Sequence, residues 1–204
     1  MKNKSITNKY KRQPATKSYK RAFIIAPEGI VTEVQYFENL KSFPIGCTIK
    51  IIKPIKHSSP EYILKSMKSY LKEHPLRVGD EAWIVVDRDE WPEEHIHNII
   101  KWSKEPQNNA AISNPKFEIW ILSHFKQSAE SAKVCDNKIE KYIKGYNKAI
   151  PNFSLEEILD AISYCKQNYK NLTASSQEIK FWKIPGTSNV YELVEKIIKS
   201  GENK

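Results

Sequence analysis

Residues 81–87 read EAWIVVD, and no other segment constrains the fold of this 204-residue chain as strongly. Ala82 to Val86 is apolar without alternation, so a strand built from it must be covered on both faces. The segment RAFIIA (21–26) has the same character. CTIKIIKPI (47–55) reads as a further strand ended by Pro54, and NAAIS (109–113) as a short fourth.

Helical patterns separate these strands. After Gly29, Thr32 stands where a helix cap belongs and Gln35 completes a capping-box pattern, with Val34, Phe37 and Leu40 at helical spacing. Ser59 and Pro60 mark the start of a helix that puts Ile63, Met67, Tyr70 and Leu71 on one face. Residues 92–104 form a helix with Ile96, Ile99 and Ile100 inward, and NPKFEIWILSHF a helix beginning near Pro115. The order predicts an α/β fold: a mostly parallel four-stranded sheet flanked by helices on both faces.

Beyond about residue 130 the pattern turns helical, with a Ser154–Glu157 capping box. EIKFWKI (178–184) reads as a short strand or an extended connector. The expected organisation is a basic arm over 1–20, a catalytic core over 21–130 and a helical extension over 131–204 packed on that core.

Charge is informative once located. Residues 1–21 hold eight of the 33 basic residues and no acid, which leaves 25 against 24 acids in the body. Two readings fit the arm: a segment that neutralises nucleic-acid phosphates, or a solvated tail. The cysteines Cys47, Cys135 and Cys165 form no CxxC and no metal-binding spacing with histidine, as expected of a reducing compartment. The polar N-terminus and the lack of an apolar run near ~20 residues predict a cytoplasmic protein without membrane attachment. Without GxxxxGK[ST], ATP binding by a P-loop is excluded.

The chemistry lies in the acids. In a parallel sheet, active groups collect at the carboxyl ends of strands. Glu28 follows the first strand in APEGIVTE, Asp87 ends the third, Asp89 comes two residues later in VVDRDEW, and Glu118 lies in the first turn of the helix after the fourth. Carboxylates converging at one sheet edge repel each other and rise in pKa, and a divalent cation removes that penalty. Oxygen ligands suit Mg2+ or Mn2+. His95 and His97, two residues apart, read as surface residues, and His124 as a helix-face residue. Most of the tryptophans read as core. Trp91 and Trp182 lie near turns, where stacking on a nucleobase is a further reading.

A strand ending in Glu-Gly followed by a strand ending in Asp-x-Asp resembles the Toprim catalytic domain of topoisomerases, primases and several nucleases. APEGIVTEVQYFENL (26–40), WIVVDRDEW (83–91), AAISNPKFEIWILSHF (110–125) and GTSNVYELVEKI (186–197) are similar to one branch, the RloB-like family found with restriction and antiphage loci. The resemblance implies a Toprim-like fold and matches Glu28 to the Toprim glutamate, a general acid/base or metal ligand. It matches Asp87 and Asp89 to the metal-binding aspartates, and Glu33 and Glu118 to further acids that ligate the metal or support those that do. Glu33 also fits a first-turn acid favoured by the helix dipole. Arg88, a cation inside the DxD, is a departure that reads as a phosphate contact or as a residue on the opposite strand face. The implied activity is a Mg2+- or Mn2+-dependent nuclease cleaving RNA or DNA in antiphage defence, controlled by a partner ATPase encoded nearby. The alternative is a non-catalytic RNA- or nucleotide-binding subunit that regulates that ATPase.

Overall fold

The computed structural model describes residues 20–54, 59–88, 91–174 and 181–201. Asp89 and the arm up to residue 19 lie outside the described residues. Strands β1 (Ala22–Pro27), β2 (Thr48–Ile51), β3 (Glu81–Asp87), β4 (Asn108–Asn114) and β5 (Thr187–Ser188) form one sheet in the order β2-β1-β3-β4-β5. The first four are mutually parallel, as the apolar runs require, with Ile25 opposite Trp83 and Trp83 opposite Asn109. After β1 the chain places β2 on one side and β3 on the other. Their carboxyl ends therefore part at β1 and β3, the place where open α/β sheets form ligand crevices.

The fifth strand corrects the four-stranded expectation. β5 runs antiparallel to β4, pairing Ser113 with Ser188 and Asn114 with Thr187. Two residues carry no readable period, and side chains secure the pairing instead. Asn189 Oδ1 accepts from the Ile112 N–H (2.6 Å), Asn189 Nδ2 donates to the Ala110 carbonyl (3.0 Å), and the Ser113 and Ser188 hydroxyls lie 2.8 Å apart. In the 178–184 segment, Phe181–Lys183 is a 3-10 turn, and 175–180 lies outside the described residues.

The helices are α1 (Thr32–Leu40), α2 (Pro60–Glu73), α3 (Glu93–Trp102), α4 (Glu118–Ser123), α5 (Ala132–Tyr142), α6 (Leu155–Ala174) and α7 (Val190–Lys199). Strand side chains alternate between two cores. Phe23, Ile25, Trp83 and Val85 pack against α1 and the helices from α4 onward, through residues such as Phe37, Trp120, Ile162 and Leu193. Ile24, Ala26, Ile84 and Val86 pack against α2 and α3 through Ile63, Met67, Ile96 and Ile99. The helical C-terminal part thus shares its core with the first strands of the sheet.

Two local expectations fit: Ser59 Oγ accepts from the Tyr62 N–H ahead of Pro60, and Ser154 and Glu157 make their reciprocal capping bonds. Two do not. α4 begins at Glu118, three residues beyond Pro115. The residue before α1 is Val31, with no side-chain cap, and Thr32 is already helical. The hydroxyl of Thr32 is engaged elsewhere, as described below. Among the described residues, no helix is long and apolar enough to cross a membrane.

Candidate functional site at the ends of strands one and three

Glu28 follows directly on β1 and is held from β3. Its N–H donates to the Val85 carbonyl (2.9 Å), its Oε2 accepts from the Asp87 N–H (3.0 Å), and its Oε1 accepts from Trp91 Nε1 (2.9 Å). A carboxylate gripped by two donors on different segments has a fixed direction.

Gly29 is the residue that lets Glu33 reach the same place. Glu33 turns back from the first turn of α1, and its Oε1 accepts from the Gly29 N–H (3.0 Å). A Cβ at Gly29 would stand 1.9 Å from Glu33 Oε2, so any side chain there would displace the carboxylate. Glu33 is 6 % exposed. Burial pushes its pKa up, and the charge of Glu118 adds to the rise.

Asp87 ends β3, and its Oδ1 accepts from the Phe117 N–H (2.8 Å). Its pKa is pushed well above the ordinary carboxylate value, first by burial and then by the charges of Glu33, Glu28 and Glu118. Four acids from three separate strand-to-helix connections therefore act on one another.

Glu118, 2 % exposed, is the acid with a countercharge. Its Oε1 accepts from Lys148 Nζ (2.6 Å) and the Tyr146 hydroxyl (2.8 Å). Burial pushes its pKa up, but these two partners outweigh burial and hold it below the usual value. Burial pulls Lys148 down, and Glu118 more than reverses that, so the ammonium is retained.

Lys148 and Tyr146 belong to the connection between α5 and α6, and α1 clamps that connection. The Thr32 hydroxyl donates to the Lys148 carbonyl (3.0 Å) and lies 3.1 Å from that of Tyr146. The Gln35 amide meets both backbone groups of Ile150, at 3.0 and 3.2 Å. Lys148 is held with φ 75°, a left-handed conformation uncommon for a lysine.

These side chains line an open cleft of about 330 Å³: Glu28, Glu33, Asp87, Glu118, Lys148 and Trp91, with Ile30 and Val31. The structure thus brings together four of the five acids singled out in the sequence; the fifth, Asp89, lies outside the described residues. Among the described residues, no three His, Cys, Asp or Glu side chains are drawn close enough to enclose a metal ion. Each carboxylate is tied instead to its own partners: Glu28 to Asp87 and Trp91, Glu33 to Gly29, Asp87 to Phe117, and Glu118 to Lys148 and Tyr146.

The remaining candidates fall away from the cleft. Strand alternation sends Arg88 to the opposite side, where it donates to the Trp91 carbonyl (2.7 Å) and covers the Trp182 ring. Trp182 is buried, which corrects its reading as a stacking residue. His124 is buried, stacked on Phe153 and bonded to the Trp120 carbonyl through Nδ1 (3.0 Å); burial holds its pKa down at about 4. His95 is half-buried beside Glu61, and His97 is exposed.

Sequence reasoning missed Tyr146, Lys148 and the grip of Trp91 on Glu28. The available signal was the long non-helical stretch 143–154, which carries Lys144, Tyr146 and Lys148 between the caps of two helices.

A family model described as RloB-like protein matches residues 23–197 of the chain. Neither a curated protein nor a solved structure matches it.

Proposed function

The chain belongs to the RloB-like family, and from that premise we propose that it is a metal-dependent phosphodiesterase, a Toprim-type nuclease cleaving RNA or DNA in antiphage defence. The observation that carries this reading is geometric: Glu28, Glu33, Asp87 and Glu118, from three separate connections, line one cleft in which Lys148 is paired to Glu118. Such a cluster is unfavourable in isolation and is relieved by a divalent cation.

The donor set fits a hard ion, being carboxylate oxygen throughout, in a cleft open to water. A bound cation would have to draw the carboxylates of Glu28, Glu33 and Asp87 in from the separate partners that hold them now, with Asp89 and Glu118 as further ligands. Mg2+ or Mn2+ bound there would polarise the scissile phosphate and lower the pKa of an attacking water. Glu28, aimed by the Asp87 and Trp91 N–H groups, exchanges a proton with the attacking or leaving oxygen. Lys148 keeps Glu118 in place and presents a positive charge to the phosphate side of the cleft.

The test is cleavage of RNA and DNA by the purified protein, alone and with any partner ATPase of the kind the family resemblance implies, with and without Mg2+ or Mn2+. Asp87→Asn and Glu28→Gln should each reduce cleavage at least a hundredfold, in line with the loss of a general acid/base or metal ligand. No cleavage under any of these conditions, or variants that cut like the parent, would leave the alternative: a subunit that binds a metal–phosphate ligand and regulates the ATPase.

A further inference from the structure

The acidic cleft has an apolar rim that the proposed phosphodiester chemistry does not use. Ile30 and Val31 stand 41 % and 45 % exposed, and both line the cleft with Trp91. Trp91 is half-buried, whereas Trp83, Trp102, Trp120 and Trp182 are all core residues. Trp91 is also held in place before any ligand arrives. Its indole N–H is committed to Glu28, its carbonyl to Arg88, and the His95 ring lies 6.2 Å away at a tilt of 30°.

From this geometry we infer that Trp91, with Ile30 and Val31, is a stacking platform for one unpaired nucleobase beside the scissile phosphate, so that the substrate is single-stranded nucleic acid. The inference rests on the phosphodiesterase reading and narrows its substrate class. An indole whose only polar group is already bonded offers a ligand its ring face, and every base has a face to match it. Because the ring is pre-positioned, little ordering remains to be done on binding. The cleft, about 330 Å³, sits at the lower end of the range for small-ligand sites, roughly 300–1,000 Å³. That is room for about one nucleotide. A base inside a duplex keeps its faces stacked on its neighbours and has none to offer.

The platform also touches the chemistry. The indole N–H aims Glu28, so a base resting on the ring and a phosphate beside Glu28 are positioned by one side chain. Trp91 is thus a binding residue through its ring and a positioning residue through its N–H.

Binding is measured in the wild type with Ca2+ in place of Mg2+, which leaves Glu28 with both of its N–H donors, and cleavage is measured with Mg2+. A single-stranded tetranucleotide should quench the one accessible tryptophan saturably. The same sequence in a blunt hairpin, and an abasic tetranucleotide of equal charge, should bind on the order of tenfold more weakly, by anisotropy of a labelled strand. Trp91→Ala should remove that advantage, while Trp91→Phe keeps it. In cleavage, Trp91→Phe should lower kcat with KM little changed, and Trp91→Ala should also raise KM. Equal binding of hairpin, abasic and single strands overturns the platform whether or not the variants fold, as does undiminished single-strand affinity in Trp91→Ala. Base-dependent binding by a wild-type protein that never cleaves overturns the phosphodiesterase reading and leaves the platform standing.

Discussion

At the scale of single residues, Asp87 ties stability to function. Its folded pKa lies well above the ordinary 3.8, through burial and the charges of Glu33, Glu28 and Glu118. A carboxyl group shifted upward on folding contributes stability below its unfolded pKa, and that contribution is lost as the pH rises through the folded value. At neutral pH without a cation, the native state therefore carries an unfavourable charge. Asn at this position is neutral at every pH, and its Oδ1 can still accept from the Phe117 N–H. Asp87→Asn should raise the melting temperature at pH 7–8, by about 2–4 °C for each kcal/mol of repulsion relieved. The gain should shrink towards pH 4. Adding Mg2+ should stabilise the wild type more than the variant. Differential scanning fluorimetry across pH checks both signs, and a variant melting below wild type at pH 8 would contradict the account. His124 has the opposite slope: burial holds it neutral down to about 4, so it weakens the fold as the pH falls through its unfolded 6.5.

At the scale of elements, α1 is the brace that keeps the α5–α6 connection over the acids. The Gln35 amide pairs with both the N–H and the carbonyl of Ile150, as a strand neighbour would. Gln35→Ala leaves both backbone groups unpaired, a loss of about 1–3 kcal/mol that falls on one connection rather than on the whole fold. Amide exchange in 143–150 should then quicken while β1 and β3 stay protected, and the hold of Lys148 on Glu118 should loosen. Equal exchange in this connection before and after the change would show that α1 does not brace it. The same element explains what could be read from the sequence. Apolar β1 and β3, the Ser59 cap and the Ser154–Glu157 box are local patterns, fixed by residues a few positions apart. The capping box assigned to Thr32 and Gln35 failed because both side chains bond residues more than a hundred positions away. Lys148, Tyr146 and β5 were illegible for the same reason. Their roles exist only once 146–150 and 187–189 have been folded against α1 and β4. Glu28, Asp87 and Glu118 were legible because parallel topology brings strand ends together whatever the distance along the chain, whereas Glu33, inside α1, entered only through the family resemblance.

At the scale of the whole molecule, charge separates into a nearly balanced body and a basic N-terminal segment. Arg21 is already engaged, ion-paired with Glu81 and stacked on Phe23. The family match begins at residue 23, so the arm lies outside the segment shared with relatives. Removing residues 1–19 deletes Lys2, Lys4, Lys9, Lys11, Arg12 and Lys17 while leaving every residue of the cleft in place. If these six charges lie along the backbone of a bound strand, each releases counterions. The slope of log affinity against log salt should then fall by up to about 0.7 per charge for a single strand, or about 0.9 for a duplex. A tetranucleotide that fills only the cleft should bind and be cut equally well with and without the arm, because its few phosphates are accounted for by the cleft and Lys148. Affinity for long strands should therefore drop with arm removal and converge with that of the intact chain at high salt. An unchanged salt slope on long RNA or DNA would identify the arm as a solvated tail and leave substrate capture to the cleft alone.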